Sequence, residues 1–384
     1  MLLALMLSVG TSIPSQTATE LKIVHINVGQ GDATLILGPP DSAGDRVSVL
    51  IDAGDIPMGG DKDGGSIVLE TLTEHGITEL DHFIVTHYDA DHIGGAITGS
   101  LGTHGHSFIL GPNNTPGDVG DDDGDGKDGW LDGNKKRKPD PEELGTGDDI
   151  RVLHFVDRGG VSTPSSATFK KYEALASLGT RTSIEDRSDV ESFSIDLGGT
   201  NPSATLRCLA ANGFVSERAT RVAKVNTENE RSLCFLLRYG GFDYLIAGDL
   251  IGRQHGSENA EVEAAVGAVL AAHDMNIDVL HVNHHGANNG SEESFLDFVV
   301  PEVAIISAGN GNSHKHPHFD ALERLVDAGV SRIYSTEWGT TKGTIPSSLR
   351  LRHAIFQGDV VLTTNGTEYF ISTTQRFATD DIFP

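Results

Sequence analysis

Between Ile84 and Gly95 the chain reads IVTHYDADHIGG, and this stretch constrains the fold more than any other. An apolar run with the character of a buried strand leads into His87, Asp89, Asp91 and His92, and a Gly-Gly pair follows. In an extended segment, side chains two apart point the same way, so His87 and Asp89 can grip one ion. Asp91 and His92 fall where the strand turns into a helix and can reach a second ion. Imidazole and carboxylate ligands suit Zn²⁺, or Mn²⁺ or Fe where oxygen dominates. The plain alternative is a solvated polar turn. Such a dense set of ligand types directly after a buried strand argues against it.

Other apolar runs end in the same manner. Asp249 closes DYLIAGD, His284 and His285 close DVLHVNHHG, and His316 lies in GNSHKHPH. An isolated Asp after a strand is ordinary turn or cap chemistry, whereas a His-His pair is less easily explained that way. Open α/β sheets place their sites at the C-terminal ends of strands, so these runs are expected to converge on one edge.

Around these runs the pattern is α/β. LKIVHINVG, ATLILG and RVSVLIDAG read as strands, and SIVLETLTEHG reads as a helix stopped by Gly76. ERSLCFLLRYGGFDYLIAGD reads as a strand pair joined by Gly-Gly, ENAEVEAAVGAVLAAH and DALERLVDAG as helices, and DVVLTTNGTEYFIS as a hairpin turning at Asn365-Gly366. The stretch from about 111 to 197 differs. It opens with a long Gly-rich charged loop and reads as an insertion, with a helix near Ala167–Leu178. Within it, Asp121, Asp123 and Asp125 alternate, Gly126 allows a sharp turn, and Asp132 falls at the twelfth position. That spacing resembles a calcium loop. Asp128 at a position usually apolar, and Asp rather than Glu at the end, leave a solvated acidic loop as the competing reading.

The chain has 384 residues and a formal charge of -27, from 55 acidic and 28 basic residues. Such a field repels polyanions and opposes broad electrostatic binding of DNA, though not a local basic groove. The one basic run, Lys135 to Lys138, lies inside the acidic loop. Cys208 and Cys234 show no C-x-x-C spacing and sit in strand-like runs, which reads as two buried thiols, with a disulfide between neighbouring strands as the alternative. MLLALMLSVGTSIPSQTATE, residues 1–20, reads as a signal-peptide remnant without its basic start, which implies an extracytoplasmic or secreted protein; an ordinary frayed N-terminus would leave it cytoplasmic. No later run is long enough to span a membrane, and nothing points to an obligate protein partner.

Taken in order, the motifs resemble the metallo-β-lactamase superfamily, and within it the ComEC-like group related to the soluble domain of DNA-uptake channels. The ligand signature H-x-[HD]-x-D-H matches His87, Asp89, Asp91 and His92. The opening motif matches HINVGQGDATLI, the first acidic motif Asp52, the N-x-x-S segment Asn229 and Ser232, the HHG motif His284–Gly286, and the late motif Asn312 and His316–His318. The resemblance implies an αββα sandwich with a dinuclear metal site at one edge, on a single hydrolase domain over 21–384. It implies His87 and Asp89 on a first divalent metal, Asp91 and His92 on a second, Asp249 bridging, and His285 completing the second site. It places His284 at the substrate and Asp52 behind the ligand loops. The two histidines are not separable from sequence, and the first metal lacks an evident third ligand; His154 is the one isolated candidate and a poor one. Asp89, where many members have His, makes the first site harder. The implied chemistry is hydrolysis by a water activated between the metals, with Asn229, Ser232, Asn312 and His316 orienting substrate. A small phosphodiester or short nucleic acid is the expected substrate. A carbonyl substrate such as a lactone or β-lactam is the alternative, and a non-enzymatic metal-binding module is a third.

Overall fold

The computed structural model describes residues 20–56, 64–97, 130–131, 138–139, 150–160, 162–200, 202–252, 261–339, 353–355 and 358–375. The first half opens with β1 (Leu21–His25), β2 (Thr34–Leu37) and β3 (Ser48–Ile51), then α1 (Gly64–Glu74), β4 (Glu79–Ile84) and α2 (Ala90–Ile97). A two-stranded ribbon, β5 (Trp130–Leu131) with β6 (Lys138–Pro139), precedes β7 (Arg151–Asp157), α3 (Ala167–Ala176) and β8 (Thr180–Ser183). Ser166 caps α3 by accepting from the Phe169 amide at 3.1 Å.

The second half runs α4 (Arg187–Ser192), β9 (Ser194–Gly198), β10 (Ala204–Ala211), β11 (Phe214–Val215), β12 (Cys234–Tyr239), β13 (Phe242–Ile246) and α5 (Val262–Ala272). It continues through β14 (Val279–His281), α6 (Glu293–Val299), β15 (Val303–Ile306), α7 (Phe319–Asp327), β16 (Arg332–Ser335) and β17 (His353–Ile355). The tail hairpin β18 (Gly358–Thr364) and β19 (Tyr369–Gln375) returns to the first sheet, where β18 pairs antiparallel with β1. The first sheet has the order β19-β18-β1-β2-β3-β4-β7-β8, and the second β11-β10-β12-β13-β14-β15-β16-β17, with β9 beside β10.

The layers follow from strands buried on both faces, whose alternate residues feed different cores. Ile23, Ile36, Val49, Ile51 and Ile84 of the first sheet meet Leu206, Phe235, Leu237, Tyr244 and Ile305 of the second. Their neighbours Val24, Leu35, Leu50 and Phe83 face outward onto Val68 and Leu72 of α1, Ile93 of α2 and Tyr172 of α3. On the far side Leu236, Leu245, Leu280 and Ala304 pack under Val266, Leu296 and Leu322 of α5, α6 and α7. The result is an αββα sandwich, the architecture that the resemblance implies.

Several expectations meet this frame. Within 111–197, the part from Arg151 onward is woven into the sheets: β7 pairs parallel with β4, β8 with β7, and β9 antiparallel with β10. Asp121, Asp123, Asp125 and Asp132 lie outside the described residues, as do residues 1–19. Cys208 and Cys234 are free and buried on adjacent strands, and they enter different cores, one between the sheets and one under the helices, so the bridge is ruled out by direction. Among the described residues no helix is long and apolar enough to cross a membrane.

Candidate metal centre

The ligand-bearing segments follow directly on strand ends. His87 to His92 follow β4, Asp249 follows β13, and His284 and His285 follow β14. β4 belongs to the first sheet, and β13 and β14, parallel to each other, to the second, so the two sheets bring their strand ends to one edge. The segments lock through their backbones. The His284 amide donates to the Gly248 carbonyl at 3.1 Å, and the Leu233 amide to the Thr86 carbonyl at 2.9 Å. Gly248 has a φ of 51°, and any Cβ there would meet Thr86 Oγ1, so only glycine lets the Asp249 turn approach the His87 loop.

Asp249 sits at the centre, 3% exposed. Its Oδ1 lies 3.2 Å from His92 Nε2 and 3.3 Å from His285 Nε2. Its Oδ2 lies 3.9 Å from His87 Nε2 and 3.6 Å from His284 Nε2. Asp91 borders the first group, 3.4 Å from His285 Nε2 and 3.9 Å from His92 Nε2. Asp89 borders the second, 3.6 Å from His87 Nε2, with its side chain half-exposed. One carboxylate thus faces two separate sets of donors, one oxygen to each.

The far nitrogens are tied back. Thr86 Oγ1 donates to Asp52 Oδ2 at 2.6 Å, so it accepts from His87 Nδ1 at 3.1 Å. His92 Nδ1 donates to the same Asp52 oxygen at 2.8 Å, and His285 Nδ1 donates to the Ser307 carbonyl at 3.1 Å. Each bond holds a ring proton on Nδ1, so Nε2 is the nitrogen that can give its lone pair to a cation, once any proton of its own has left. His87 Nε2, His92 Nε2, His285 Nε2 and Asp249 Oδ1 are all buried without a hydrogen-bond partner. Buried polar atoms are otherwise paired, and four converging acceptors are what a divalent cation satisfies. His92, Asp249 and His285, together with Asp32, have ligand atoms within 4.8 Å of one another. The residues therefore fit a metal centre on this chain's own geometry.

The charges agree. Burial opposes a charge on His92, but Asp249 and Asp52 outweigh it and raise its pKa well above the ordinary value. Burial likewise opposes a charge on His285, and Asp249 and Asp32 overcome it. Burial works against the Asp249 and Asp91 carboxylates, yet the surrounding imidazoles hold both well below the usual range. The pocket is built to stabilise positive charge. Asp55, at its rim, is pushed up to about 6 by burial and by Asp91.

The two adjacent histidines now separate. His284 and His285 occupy left-handed turns, φ 52° and 53°, which throw their rings in different directions. His285 is 2% exposed with a free Nε2. His284 is more exposed; its Nδ1 donates to Asn289 Oδ1 at 2.9 Å and its Nε2 accepts from Asn229 Nδ2 at 3.2 Å. His316 stands over both, with ring centroids 5.2 Å from His284 and 5.8 Å from His285. Burial and these two neighbours lower its pKa to about 3, so it is neutral. Asn229, His284 and His316 thus stand at the site. Asn312 and Ser232 are read as substrate-facing too. Asn312 uses its amide to hold the Gly309 and His316 carbonyls and the His316 amide, and Ser232 is 1% exposed. Motif order alone does not distinguish a loop brace from a substrate contact. His154 stacks on His82 at 5.1 Å, on the strand pair β4–β7.

Sequence reasoning missed several supporting groups. Thr86 links Asp52 to His87. Glu228 accepts from the Tyr88 amide at 3.0 Å and from Arg158 Nε at 2.6 Å, and the Arg158 guanidinium covers the Tyr88 ring at 4.4 Å. Asp32 and Gln30 of the opening motif also belong here. Their signal was a polar pair inside an apolar, Gly-flanked stretch.

No family model matches the chain. It is similar to the ComE operon protein 3 of Bacillus subtilis (strain 168), 24% identical over 333 residues, which cover 84% of this chain and 33% of that protein. It is similar to the competence protein ComA of Neisseria gonorrhoeae, 31% identical over 110 residues, 29% of this chain and 14% of that one. Recombination protein 2 of Haemophilus influenzae is 36% identical over 98 residues, 26% of this chain and 11% of that one. The chain thus spans about a third of the first of these relatives. Among solved structures, a diphosphatase from the PhnP family shares 12% identity, with 90% of this chain and 97% of that one covered at a TM-score of 0.38. A metal-dependent hydrolase of the β-lactamase superfamily shares 12%, with 82% and 87% covered at 0.32. The resemblance to the ComEC-like competence proteins therefore extends over most of this chain.

Proposed function

We propose that this chain is a metal-dependent hydrolase that cleaves phosphodiester bonds. The observation that carries the reading is Asp249, whose two oxygens face two separate sets of buried donors, three of them ring nitrogens with no other partner. His92, Asp91 and His285 would hold one divalent cation with Asp249 Oδ1, and His87 and Asp89 another with Oδ2. Zinc is the expected ion, with manganese or iron as rivals at the oxygen-rich half. Cations in such a pair polarise a phosphoryl oxygen and lower the pKa of water.

The remaining roles belong to side chains at the mouth. Asn229 donates one amide proton to His284 Nε2, which lies on the Asp249 Oδ2 side, and can give its second to a non-bridging oxygen of the substrate. His316, neutral and buried, orients the substrate through its free ring nitrogen. The oxygen-rich half favours anionic phosphoryl oxygens over a neutral carbonyl. The relatives named for competence and recombination support a nucleic-acid-type substrate. The charge of -27 favours a short strand or small phosphodiester over long duplex.

The test combines metal analysis with a panel of small phosphodiesters, short single strands, long duplex, lactones and β-lactams. We expect up to two transition-metal ions per chain, turnover of the small phosphodiesters, and loss of both ions together in Asp249→Asn. Lactone turnover without phosphodiester cleavage would reverse the substrate class. An Asp249→Asn variant that kept full metal and full turnover would end the reading of the centre.

A further inference from the structure

The loop Gly29–Asp32, between β1 and β2, meets the ligand-bearing segments that follow both β4 and β14. Its Gln30 Nε2 donates to Asp91 Oδ2 at 3.3 Å. The Asp32 amide donates to the Asp91 carbonyl at 3.1 Å, and the Asp32 carbonyl accepts from Gly54 at 2.8 Å. Gly31, at φ 102°, lies so close that a Cβ would run into the Asp91 carbonyl oxygen. On the other side Asp32 Oδ1 lies 3.6 Å from His285 Nδ1 and 3.3 Å from His281 Nε2. Ser307 joins the same two rings: its carbonyl takes the His285 Nδ1 proton and its hydroxyl meets His281 Nε2 at 3.1 Å.

Asp32 is 2% exposed, and neither of its oxygens accepts a regular hydrogen bond. A buried carboxylate in that condition is expensive unless its neighbours offset its charge. Only the two imidazoles stand at ion-pair distance among the described residues. Asp52 performs the comparable service for His92, from the first sheet.

We propose that Gln30 and Asp32 are positioning residues for one half of the centre, the half made of Asp91, His92 and His285. Asp91 opens α2 after β4 of the first sheet and His285 follows β14 of the second, so their separation depends on how the sheets sit on one another. The Gly29–Asp32 loop spans that junction. Gln30 holds the Asp91 carboxylate from one side, and the Asp32 carboxylate backs the His285 ring from the other. No comparable contact from this loop reaches His87 or Asp89. The loop therefore acts on one cation and leaves the other alone. This inference rests on the metal-centre reading above.

The experiment is a zinc titration by calorimetry on chelator-stripped protein, for the full chain, Gln30→Ala and Asp32→Asn, with melting curves of the cation-free forms. Gln30 is partly exposed, so its truncation leaves the fold intact even if Asp32→Asn does not. We expect two binding events in the parent chain. In each variant one event weakens about 10- to 100-fold, the usual cost of losing an outer partner of a ligand, while the other keeps its affinity. A merely structural role would lower the melting temperature and move both events together, and that result would overturn the proposal. So would two unchanged events in Gln30→Ala. A parent chain that bound no zinc would instead remove the metal-centre reading on which the proposal stands.

Discussion

Asp52→Asn is the sharpest single perturbation of this site. The carboxylate is 1% exposed and accepts three hydrogen bonds: Thr86 N on Oδ1 at 2.8 Å, and Thr86 Oγ1 and His92 Nδ1 on Oδ2 at 2.6 and 2.8 Å. An amide has one accepting end. With its oxygen toward the Thr86 amide, its NH₂ faces His92 Nδ1, and the ring must move its proton to Nε2. With the amide turned over, NH₂ faces the Thr86 N–H instead. Either way one buried donor loses its acceptor, which costs about 1–3 kcal/mol. An unfolding entropy of about 2.1 cal/mol/K per residue gives about 0.8 kcal/mol/K for a chain of this length. The cation-free variant should therefore melt about 1–4 °C lower, by scanning calorimetry. The first orientation also places a proton on the nitrogen that faces Asp249, so cation affinity should fall about 10- to 100-fold. A variant that melted lower but bound zinc as tightly as the parent would refute the tautomer argument and reduce Asp52 to a brace of the fold.

Two other outcomes are expected. In the cation-free protein His92 and His285 have raised pKa values and hold protons at neutral pH, so zinc binding must release them; calorimetry in two buffers of different ionisation enthalpy should show that release, and affinity should fall as pH is lowered. A proton count of zero at pH 7 would show that the rings are already neutral. For the acidic loop, calcium binding would raise the melting temperature at millimolar calcium, and replacing Asp121, Asp123 and Asp125 together by Asn would abolish the rise while leaving catalysis untouched; no shift in the parent chain would leave it a solvated loop.

How much was legible beforehand can be judged residue by residue. The ligand stretch announced itself because its spacing is local: two-residue periodicity aligns His87 with Asp89, and the strand-to-helix turn carries Asp91 and His92. The helices α1, α5 and α7 and the tail hairpin were readable for the same reason, since caps, glycines and apolar periods act over a few residues. Motif order pointed to Asp249 and the His284–His285 pair as members of the same site. That order could not say which ring faces inward, because the choice is made by two left-handed turns and by the Ser307 carbonyl and Asn229 amide that receive them.

The tertiary structure also decided what no local pattern encodes. The polar strands β7 and β8 count as sheet only because β4 offers them an edge. Cys208 and Cys234 look like candidates for a bridge until the sheet sends them to opposite cores. Asp32 reads as one polar residue in a turn, and becomes a counter-charge only where β14 and β15 bring His281, His285 and Ser307 around it. Sequence by itself determined the chemistry available, because ligand types and their spacing are covalent facts. Which groups meet, and with what protons, was settled by how the two sheets pack, because burial removes water and forces each polar atom to find its partner within reach.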